Sequence, residues 1–445
     1  MSSAATIFAL ASGAGRAGVA VIRVSGPDAG RAVAALSGRP LPDPRLAVRR
    51  RFVDVDGALL DDGLLLWFPG PASFTGEDVA ELQIHGGAAV IEAIAAALEA
   101  QGLRLARPGE FTRRAFENGK LDLTAAEAIA DLVDAETEGQ RRQALRQMQG
   151  ALAALYDGWR ARLLTILALI EGEIDFPDED LPDALAARTV PDLSALAAEM
   201  DAHLADHARG ERVRDGYRIA IIGAPNAGKS SLLNALVQRE AAIVSDTPGT
   251  TRDVVEVRLV LAGYPVWLAD TAGLREAADA IESDGVRRAL ARAEEADLRI
   301  ALVEAGANEV APQLADALRD GDFLLTSKSD LGAGTVAPVS RDVERLAVST
   351  ATGAGLNDLL ARLTRRIVSA LGETEAPALT RHRHREAVRE TRDHLQRALA
   401  AFRIGGAELV AEDVRLAARA LGRLTGRIDV EDVLGEIFAS FCIGK

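Results

Sequence analysis

Short apolar segments separated by turn signals fill residues 1–119. Apolar and polar positions tend to alternate along these segments, and dipeptides such as Asp56-Gly57 separate them, which is typical of β-strands joined by turns. The predicted strands are GVAVIRVSG (18–26), RRFVDV (50–55) and VAELQIHGG (79–87). Residues 88–102 have helical apolar spacing and end at a glycine. The pattern predicts a small α+β domain.

The pattern becomes helical between about residues 120 and 210. Apolar residues recur at intervals of three and four over 123–148 and 154–174. An acidic segment with prolines, 175–185, separates them from a third helical stretch over 190–208. Helical character then returns only after residue 380. The helical region is therefore predicted to be all-α and split into two halves in sequence.

Strands alternate with helices between the two helical halves, which indicates a mostly parallel sheet. The simplest interpretation is an α/β domain inserted into a helical domain, and inserted domains tend to have neighbouring termini. The fold class is thus a multidomain combination of α/β and α+β parts. The predicted segments are an α+β domain over 1–119, a first helical part over 120–213, the inserted domain over 214–371 and a second helical part over 372–445.

Composition narrows the class of protein. A single cysteine, Cys442, allows no disulfide within the chain, so nothing requires an oxidising compartment. The longest apolar run, 163–170, is far shorter than the ~20 residues that span a bilayer. We therefore expect a cytoplasmic protein with no membrane contact. The net charge of −15 means that any contact with RNA must be a local basic patch.

The most specific motif lies in YRIAIIGAPNAGKSSLLNAL (217–236). Gly223, Gly228, Lys229 and Ser230 fit the phosphate-loop pattern, with a strand before it and a helix after it. Backbone N–H groups of such a loop surround the β-phosphate, the lysine reaches the β- and γ-phosphates, and the serine binds Mg²⁺. A chance match in a glycine-rich turn would lack the flanking elements.

Further motifs follow in the order expected for nucleotide hydrolysis. VWLADTAG (266–273) places Asp270 near Mg²⁺ and Gly273 near the γ-phosphate, and Thr251 in GTTRD is a candidate Mg²⁺ ligand. Lys328-x-Asp330 follows a predicted strand, and a carboxylate there can accept hydrogen bonds from guanine N1–H and its 2-amino group. Ser349, Thr350 and Ala351 are predicted to lie near the base.

This ordered set resembles the translation-factor-like class of small GTPases over about 155 residues, with one departure. That class usually has Asn-Lys-x-Asp, and here Ser327 occupies the asparagine position. Asparagine there normally braces the loop and contacts the base. The departure weakens the prediction of tight guanine binding, although Asp330 retains the discriminating carboxylate.

Hydrolysis needs a group that orients the attacking water. Ras-like enzymes use a glutamine just after the D-x-x-G motif, but here that residue is Leu274. Arg252 and Arg275 are candidates for a stabilising positive charge, although each could equally form a surface ion pair. Asn226 offers a side-chain oxygen for a monovalent cation. Glu282 follows the second switch, and without a further argument it would be a solvated helix carboxylate.

A closer resemblance covers the whole chain. The segments GRAGVAVIRVSG, PGEFTRRAFENGKLDLTAAEAIADL (108–132), SDTPGTTRD and DTAGLRE, with the terminal FCIGK, resemble the MnmE (TrmE) family of tRNA wobble-uridine modification GTPases. That resemblance implies an N-terminal folate-binding and dimerisation domain, a split helical domain and an inserted Ras-like GTPase domain.

The resemblance also implies how GTP is held and cut. In that family the GTPase domains pair across a homodimer when K⁺ binds beside the phosphates. The implied K⁺ ligands are Asn226, Ser245, Thr247 and Thr250, and the implied Mg²⁺ ligands are Ser230 and Thr251. The water-orienting glutamate falls on Glu282, which would make a glutamine at 274 unnecessary. The implied GTP-binding residues are Asn226, Ala227, Gly228, Lys229, Ser230, Ser231, Ser245, Asp246, Thr247, Pro248, Gly249, Thr250, Thr251, Asp270, Thr271, Ala272, Gly273, Lys328, Asp330, Ser349, Thr350 and Ala351.

The modification chemistry is implied in the same way. The expected product carries a carboxymethylaminomethyl-type group on carbon 5 of the tRNA wobble uridine. The one-carbon unit would come from a reduced folate, 5-formyl- or methylene-tetrahydrofolate, bound by Arg23, Glu81, Lys120 and Lys445. An FAD-dependent partner, MnmG (GidA), would supply the redox chemistry within a heterotetramer. The G-x-G-x-x-G spacing at 13–18 leads into a predicted strand and not into a helix, so we predict no dinucleotide site in this chain.

Cys442 lies three residues from the last residue, where chain ends usually fray unless they are docked. A tail that delivers Lys445 to the folate site would be docked. Two roles for the thiol stay open: a small packing residue, or a catalytic group acting on the uridine or the one-carbon unit. Residues 381–403 carry seven arginines and three acids, which indicates either a phosphate-contacting face or a solvated helix.

Two rival functions stay open at this point. A ribosome-assembly GTPase of the Era type would need a KH domain with a G-x-x-G loop after the GTPase domain, and it would leave FCIGK unexplained. A helical GTPase scaffold that only remodels its partners would not bind folate. Folate binding by the isolated chain separates that scaffold from the enzyme.

Overall fold

The computed structural model describes residues 5–175, 185–206, 209–239, 256–270, 292–307, 309–332, 339–372, 377–404, 406–428, 431–439 and 441–444. The chain divides into two compact units. Unit 1 comprises residues 1–130, 147–194 and 393–445, and unit 2 comprises 131–146 and 195–392. The predicted domain boundaries of the sequence stay a prediction.

A six-stranded sheet forms the N-terminal part of unit 1. Its strands lie in the order β3-β4-β5-β2-β1-β6, all antiparallel neighbours except the parallel pair β1 and β6. The strands are β1 (Ile7–Leu10), β2 (Ala17–Ser25), β3 (Val48–Val53), β4 (Leu59–Phe68), β5 (Val79–Gly86) and β6 (Arg104–Leu105). Three helices accompany them: α1 (Ala29–Ser37), α2 (Ala88–Glu99) and α3 (Glu110–Glu117).

Alternation along the strands decides which face is buried. Ile22 and Val24 of β2 join Leu82 and Ile84 of β5 in the core with residues of α1 and α2. The residues between them point to the opposite face, where Arg23 of β2 lies directly beside Glu81 of β5. Successive side chains of a strand must point to opposite faces, so the same alternation that builds the core exposes this charged pair.

Long helices follow the first sheet and return after residue 380. They are α4 (Leu123–Val133), α5 (Glu138–Met148), α6 (Ala151–Asp175), α7 (Leu185–Arg188), α8 (Val190–Leu204), α9 (Arg209–Asp215), α13 (His382–Ala401), α14 (Ala407–Thr425) and α15 (Glu431–Ala439). Within unit 1, α6 and α14 pack along each other. Arg415 of α14 forms an ion pair with Glu171 of α6 at 2.6 Å. The prediction of a helical region in two sequence halves agrees with these elements.

The helical stretch predicted over 123–148 is interrupted at residues 134–137. Gln140 Oε1 accepts hydrogen bonds from the backbone N–H groups of Glu136 and Thr137, both at 3.1 Å. A side-chain acceptor satisfies N–H groups that have no partner at a helix start. The break is therefore a capped start of α5.

A second six-stranded sheet forms the core of unit 2. Its order is β12-β11-β10-β7-β9-β8, with every neighbour parallel except the antiparallel pair β8 and β9. The strands are β7 (Tyr217–Gly223), β8 (Glu256–Leu261), β9 (Tyr264–Asp270), β10 (Leu298–Glu304), β11 (Phe323–Ser327) and β12 (Glu344–Ala347). The helices α10 (Lys229–Arg239) and α11 (Pro312–Ala317) lie between strands in the chain, and α12 (Leu356–Leu371) follows the last strand. This confirms the predicted mixed α/β and α+β fold class.

Candidate functional site

The loop between β7 and α10 has the geometry of a phosphate cradle. Asn226 and Gly228 adopt left-handed backbone conformations, with φ of 61° and 92°. The Lys229 side chain folds back over the loop, and its Nζ donates to the carbonyls of Gly223 at 2.8 Å and Ala224 at 2.7 Å. Lys229 is only 5% exposed. The ammonium group is therefore held at the loop before any phosphate arrives.

Gly223 is required by close packing at the end of β7. A Cβ built on this residue would lie 2.7 Å from the carbonyl oxygen of Leu302 on β10. A side chain would push the two strands apart, so the loop can leave the sheet here only from a glycine. The helix that follows begins at Lys229 and presents its N-terminal N–H groups and dipole to the loop.

The loop lies where ligands bind in open parallel sheets. The strand order reverses between β7 and β10. The strands β8 and β9 lie on one side of β7, and the chain then crosses to β10 on the other side. Ligands bind at the carboxyl ends of the strands at such a switch point. Asp270 ends β9, where its Cα is paired with that of Ile221 on β7. Its backbone is thus at the same edge of the sheet.

The predicted base-binding residues lie at the same edge, after β11 and β12. Lys328 has a left-handed φ of 53°, and its Nζ forms an ion pair with Glu304 at 2.6 Å. Asp330 is exposed. The two strand ends are joined by a hydrogen bond from Ser329 N to the carbonyl of Val348 at 3.2 Å. The loop carrying Asp330 is thereby held beside the loop that follows β12.

Ser327 and Ser349 brace these two loops from within. The Ser327 side chain is buried and donates to the Val303 carbonyl at 3.4 Å. A Cβ on Gly228 would lie 4.0 Å from Ser327 Cβ, so the serine is next to the phosphate loop. Ser349 is fully buried and accepts a hydrogen bond from Thr352 N at 3.2 Å, while Thr350 and Ala351 are exposed. Ser327 thus occupies the bracing position where an asparagine was expected.

Other predicted nucleotide residues lie outside the described part of the chain. They are Ser245, Asp246, Thr247, Pro248, Gly249, Thr250, Thr251, Thr271, Ala272, Gly273 and Glu282. The candidates Arg252, Leu274 and Arg275 also lie there. Among the described positions, Ser230 and Ser231 are exposed in the first turn of α10, and Ala227 is buried beneath the loop.

The first sheet brings together the predicted pair Arg23 and Glu81. Arg23 donates from Nε at 3.0 Å and from a terminal nitrogen at 2.9 Å, both to Glu81 Oε1. The guanidinium also lies 5.5 Å from the ring centre of Phe74 and 5.7 Å from that of Phe111. Both side chains of the ion pair are about one-fifth exposed. The pair is therefore half-enclosed and reachable by a ligand.

Lys120 belongs to the same region through the loop between β4 and β5. Its Nζ donates to the carbonyl of Pro71 at 2.8 Å, and its side chain packs against Gly76. The Asn118 amide donates to the Thr75 carbonyl at 2.7 Å. Lys120 is thus tied to the loop that carries Phe74.

The C-terminal peptide is docked on the N-terminal sheet. Phe441 is buried, and the Cys442 carbonyl accepts a hydrogen bond from Gly109 N at 3.5 Å. A Cβ on Gly444 would lie 2.0 Å from the carbonyl oxygen of Leu10, so the peptide passes tightly against the end of β1. Leu10 is one residue beyond Ala9, whose strand partner is Arg23. Cys442 itself is exposed, and Lys445 lies outside the described residues.

The arginine-rich stretch 381–403 makes ion pairs within the protein. Arg381 pairs with Asp131 at 2.7 Å, Arg385 with Glu211 and Arg392 with Asp201. The carboxylates neutralise arginine charges that would otherwise attract the phosphates of a nucleic acid. This arrangement favours the structural interpretation of the stretch over a phosphate-contacting face.

No helix within the described ranges is both long and apolar enough to cross a bilayer. The longest, α6, carries charged residues along its length.

Family models and relatives cover almost all of the chain. The model described as "GTP-binding protein TrmE N-terminus" matches residues 6–120, and the model described as "MnmE helical domain" matches 123–442. A protein named tRNA modification GTPase MnmE from Parvibaculum lavamentivorans is 59% identical over 443 residues, 99% of this chain and 100% of its own. The protein of the same name from Phenylobacterium zucineum is 57% identical and covers 99% of each chain.

Among solved structures, the G domain of the T. maritima FeoB iron transporter is 23% identical to this chain. It covers 35% of this chain and 98% of its own, with a TM-score of 0.26. A likeness this low carries no argument, so the assignment depends on the family models and the close relatives.

Proposed function

This chain belongs to the MnmE (TrmE) family of tRNA modification GTPases, and on that premise we propose that it couples K⁺-activated GTP hydrolysis to modification of the wobble uridine in certain tRNAs. The family membership confirms the resemblance predicted from the motifs. The chain is a GTP hydrolase of tRNA modification. The product proposed here carries a carboxymethylaminomethyl-type group on carbon 5 of the uridine.

The observation that carries this proposal is the phosphate loop. Lys229 is held over a cradle of left-handed residues at the switch point of the sheet, which suits a nucleotide triphosphate. Asp330 is exposed at the neighbouring loop, where its carboxylate can accept from the two adjacent N–H donors of guanine. Adenine offers no such pair, so the proposed substrate is GTP.

Hydrolysis would depend on residues that act on the γ-phosphate. Lys229 stabilises negative charge on the phosphate oxygens, and the Ser230 hydroxyl at the start of α10 is suitably placed to bind Mg²⁺ together with Thr251. Asn226, whose left-handed conformation exposes its side chain at the loop, would bind K⁺ with Ser245, Thr247 and Thr250. Glu282 would orient the attacking water. Bound K⁺ supplies the positive charge that an arginine finger supplies elsewhere.

The folate site is proposed at Arg23, Glu81, Lys120 and Lys445. The described residues fit a reduced pterin, because the two hydrogen bonds from Arg23 to Glu81 both go to the same carboxylate oxygen, Oε1. Among the described residues nothing donates to the other oxygen, Oε2, which leaves an acceptor for the N–H groups of a pterin. The docked tail carries Cys442 past this sheet and would bring Lys445 toward the glutamate tail of the folate.

The proposed partners are those that the family resemblance implies. The proposed assembly is a homodimer that joins an FAD-dependent MnmG (GidA) partner in a heterotetramer, with tRNA as the substrate in the cytoplasm. The rival Era-type function would require a KH domain after the GTPase domain. The described residues there form the long helices α13 and α14 instead.

Reconstitution tests the proposal directly. The chain is mixed with the flavoprotein partner, tRNA, GTP and methylene-tetrahydrofolate, and the wobble uridine is analysed by mass spectrometry. Modified uridine is expected in the complete mixture and not in mixtures that lack this chain, GTP or the folate. Full yield without the folate would overturn the proposed one-carbon source, and full yield without this chain would overturn the proposed function.

A further inference from the structure

The loop between β4 and β5, residues 69–78, is fixed by a buried ionic network. Arg114 of α3 is 6% exposed and donates to both oxygens of Glu77, at 3.2 Å and 3.0 Å. Ser25 Oγ donates to Glu77 Oε2 at 2.7 Å and is 2.8 Å from the Thr75 hydroxyl. Charge-assisted hydrogen bonds to buried groups are strong and directional. The loop therefore has a set shape before any ligand binds.

Glu110 anchors the other side of Arg114. It accepts from the Arg114 guanidinium at 3.0 Å and from Arg104. Burial acts to raise the pKa of Glu110, but the hydrogen bonds from Arg104, the Arg107 N–H and Arg114 outweigh it and lower the pKa to about 2. Glu110 is therefore charged at neutral pH, where it can hold the Arg114 guanidinium in place.

This rigid loop presents one aromatic ring to solvent. Phe74 is 39% exposed, while its neighbours Ser73 and Thr75 are 8% and 0% exposed. The fixed shape of the loop leaves the ring in solvent. Exposing a large apolar side chain forfeits the free energy that would be gained by burying it. The exposed face of the ring is therefore available as a binding surface.

The ring and a free carboxylate oxygen converge on the same guanidinium. The ring centre of Phe74 lies 5.5 Å from the Arg23 guanidinium, whose two hydrogen bonds to Glu81 both go to Oε1. The charges of Arg23 and Glu81 offset each other, so the surface between ring and carboxylate suits a neutral, flat group with N–H donors rather than a carboxylate tail. The 2-amino-4-oxopyrimidine ring of a reduced pterin has that chemistry.

We propose that Phe74 is a ligand-stacking residue, packing its exposed ring on the pyrimidine ring of a reduced pterin whose N–H groups donate to Glu81 Oε2. The proposal rests on the folate site proposed above and adds to it the residue that holds the flat face of the ligand. Stacking of a base on an aromatic side chain is worth ~1–3 kcal/mol, which corresponds to roughly a 5- to 150-fold change in affinity.

Equilibrium dialysis of the full chain with 5-formyl-tetrahydrofolate tests the role of Phe74. We expect Phe74→Ala to raise Kd at least about fivefold. Phe74→Tyr keeps a flat π-face and is expected to bind within about twofold of the unchanged chain, whereas Phe74→Leu keeps apolar bulk and is expected to bind as weakly as the alanine variant. Val55→Ala, at a residue 91% exposed in the same sheet region, is the matched control. The urea unfolding midpoint and circular dichroism of each variant report on its folding.

The outcomes separate this proposal from the folate site itself. If the unchanged chain binds no reduced folate, the proposed folate site fails. If it binds and Phe74→Ala binds equally well, Phe74 only covers the Arg23–Glu81 pair and the stacking proposal is overturned. Equal affinity of the Leu and Tyr variants would also overturn it, since area rather than an aromatic face would then matter. Guanosine, which has the same donor pair, is the competing ligand: displacement of the folate by guanosine at similar concentration would overturn the assignment to a pterin.

Discussion

Asp330 is the residue proposed to recognise the base, through two hydrogen bonds. Because the carboxylate would accept from both N1–H and the 2-amino group of guanine, Asp330→Asn puts an amide donor against a guanine donor. We expect the affinity for GTP to fall roughly 10- to 100-fold, since hydrogen bonds to charged groups are worth about 1.5–3 kcal/mol. Xanthosine triphosphate, which offers an acceptor there, should bind better to the variant.

Titration with fluorescent GTP and xanthosine analogues measures this exchange. Asp316→Asn, at an exposed acid of α11 in the same unit, is the control and should change neither affinity. Retained GTP preference in Asp330→Asn would mean that the base site, with Ser327 as its brace, has a different design.

Cys442 is exposed on a docked peptide, which favours the chemical role over a packing role. We expect Cys442→Ser to leave K⁺-stimulated GTP hydrolysis intact while abolishing or strongly reducing uridine modification. Serine is nearly isosteric, but its hydroxyl has a much higher pKa than a thiol and cannot replace a thiolate or thiol acid. The measurement is the yield of modified uridine at equal folate occupancy.

Ile443→Ala is the control for the peptide, since Ile443 is 51% exposed beside Cys442. It should retain the yield. A full yield of modified uridine from Cys442→Ser would show that the thiol takes no part in the chemistry and is a packing residue.

His203 makes unit 2 sensitive to acid. The side chain is 8% exposed on α8, and burial lowers its pKa from 6.5 to about 4. The folded state holds the ring neutral while the unfolded chain takes up a proton below pH 6.5, so stability is present above pH 6.5 and is lost as the pH falls toward 4. The loss amounts to about 3 kcal/mol. His203→Gln should flatten the stability curve between pH 6.5 and 4 in urea unfolding, whereas His382→Gln, at an exposed ring, should leave it unchanged.

Two glycines in helices predict opposite effects of the same substitution. Gly139 of α5 donates its N–H to the Gly263 carbonyl at 2.8 Å, and a Cβ there would lie 2.6 Å from Tyr264 Cδ1 in the β8–β9 hairpin. Gly139→Ala should therefore lower the unfolding midpoint, with overpacking costing about 1–3 kcal/mol. Gly158 of α6 has nothing within 4 Å of such a Cβ.

Gly158→Ala should raise stability by about 0.5–1 kcal/mol, because alanine is the better helix former and meets no obstacle. Thermal unfolding of both variants checks the pair. A stabilised Gly139→Ala would mean that α5 does not lie against the hairpin as described.

Hydrophobic periodicity predicted most elements, because each has one buried face. The strand at 18–26 was predictable from alternation, and it is β2 at Ala17–Ser25. The capped break at 134–137 was not, since it depends on one glutamine whose side chain reaches back to two N–H groups. The sequence analysis also missed Phe74 and Arg114. The only sign of Phe74 was an aromatic residue within a turn-rich loop. The contacts of Phe74 with Arg23 and of Arg114 with Glu77 join positions at least 37 residues apart in sequence, which a local pattern does not reveal.

At the scale of the whole molecule, the proposed nucleotide and folate residues lie in different compact units. The phosphate loop belongs to unit 2, and Arg23, Glu81 and the docked tail belong to unit 1. The phosphate loop could be predicted from its residue types and their spacing, whereas the folate residues were predicted only from the family resemblance. Sequence motifs could not predict that residues 131–146 group with the GTPase sheet, which depends on long-range contacts such as that of Asp131 with Arg214 at 3.0 Å.

Coupling between the two sites is the central claim, and the cation tests it most directly. The measurement is the yield of modified wobble uridine from the complete reconstituted mixture with GTP, in K⁺ and in Na⁺ at equal ionic strength, with GTP hydrolysis followed in the same tubes. If hydrolysis needs K⁺ at Asn226 and drives modification, both should be fast in K⁺. In Na⁺ hydrolysis should be slow, and the yield of modified uridine should fall to the level seen without GTP. Equal uridine yields in K⁺ and Na⁺, with hydrolysis slow in Na⁺, would contradict the coupling, and equal hydrolysis in both would contradict the cation site.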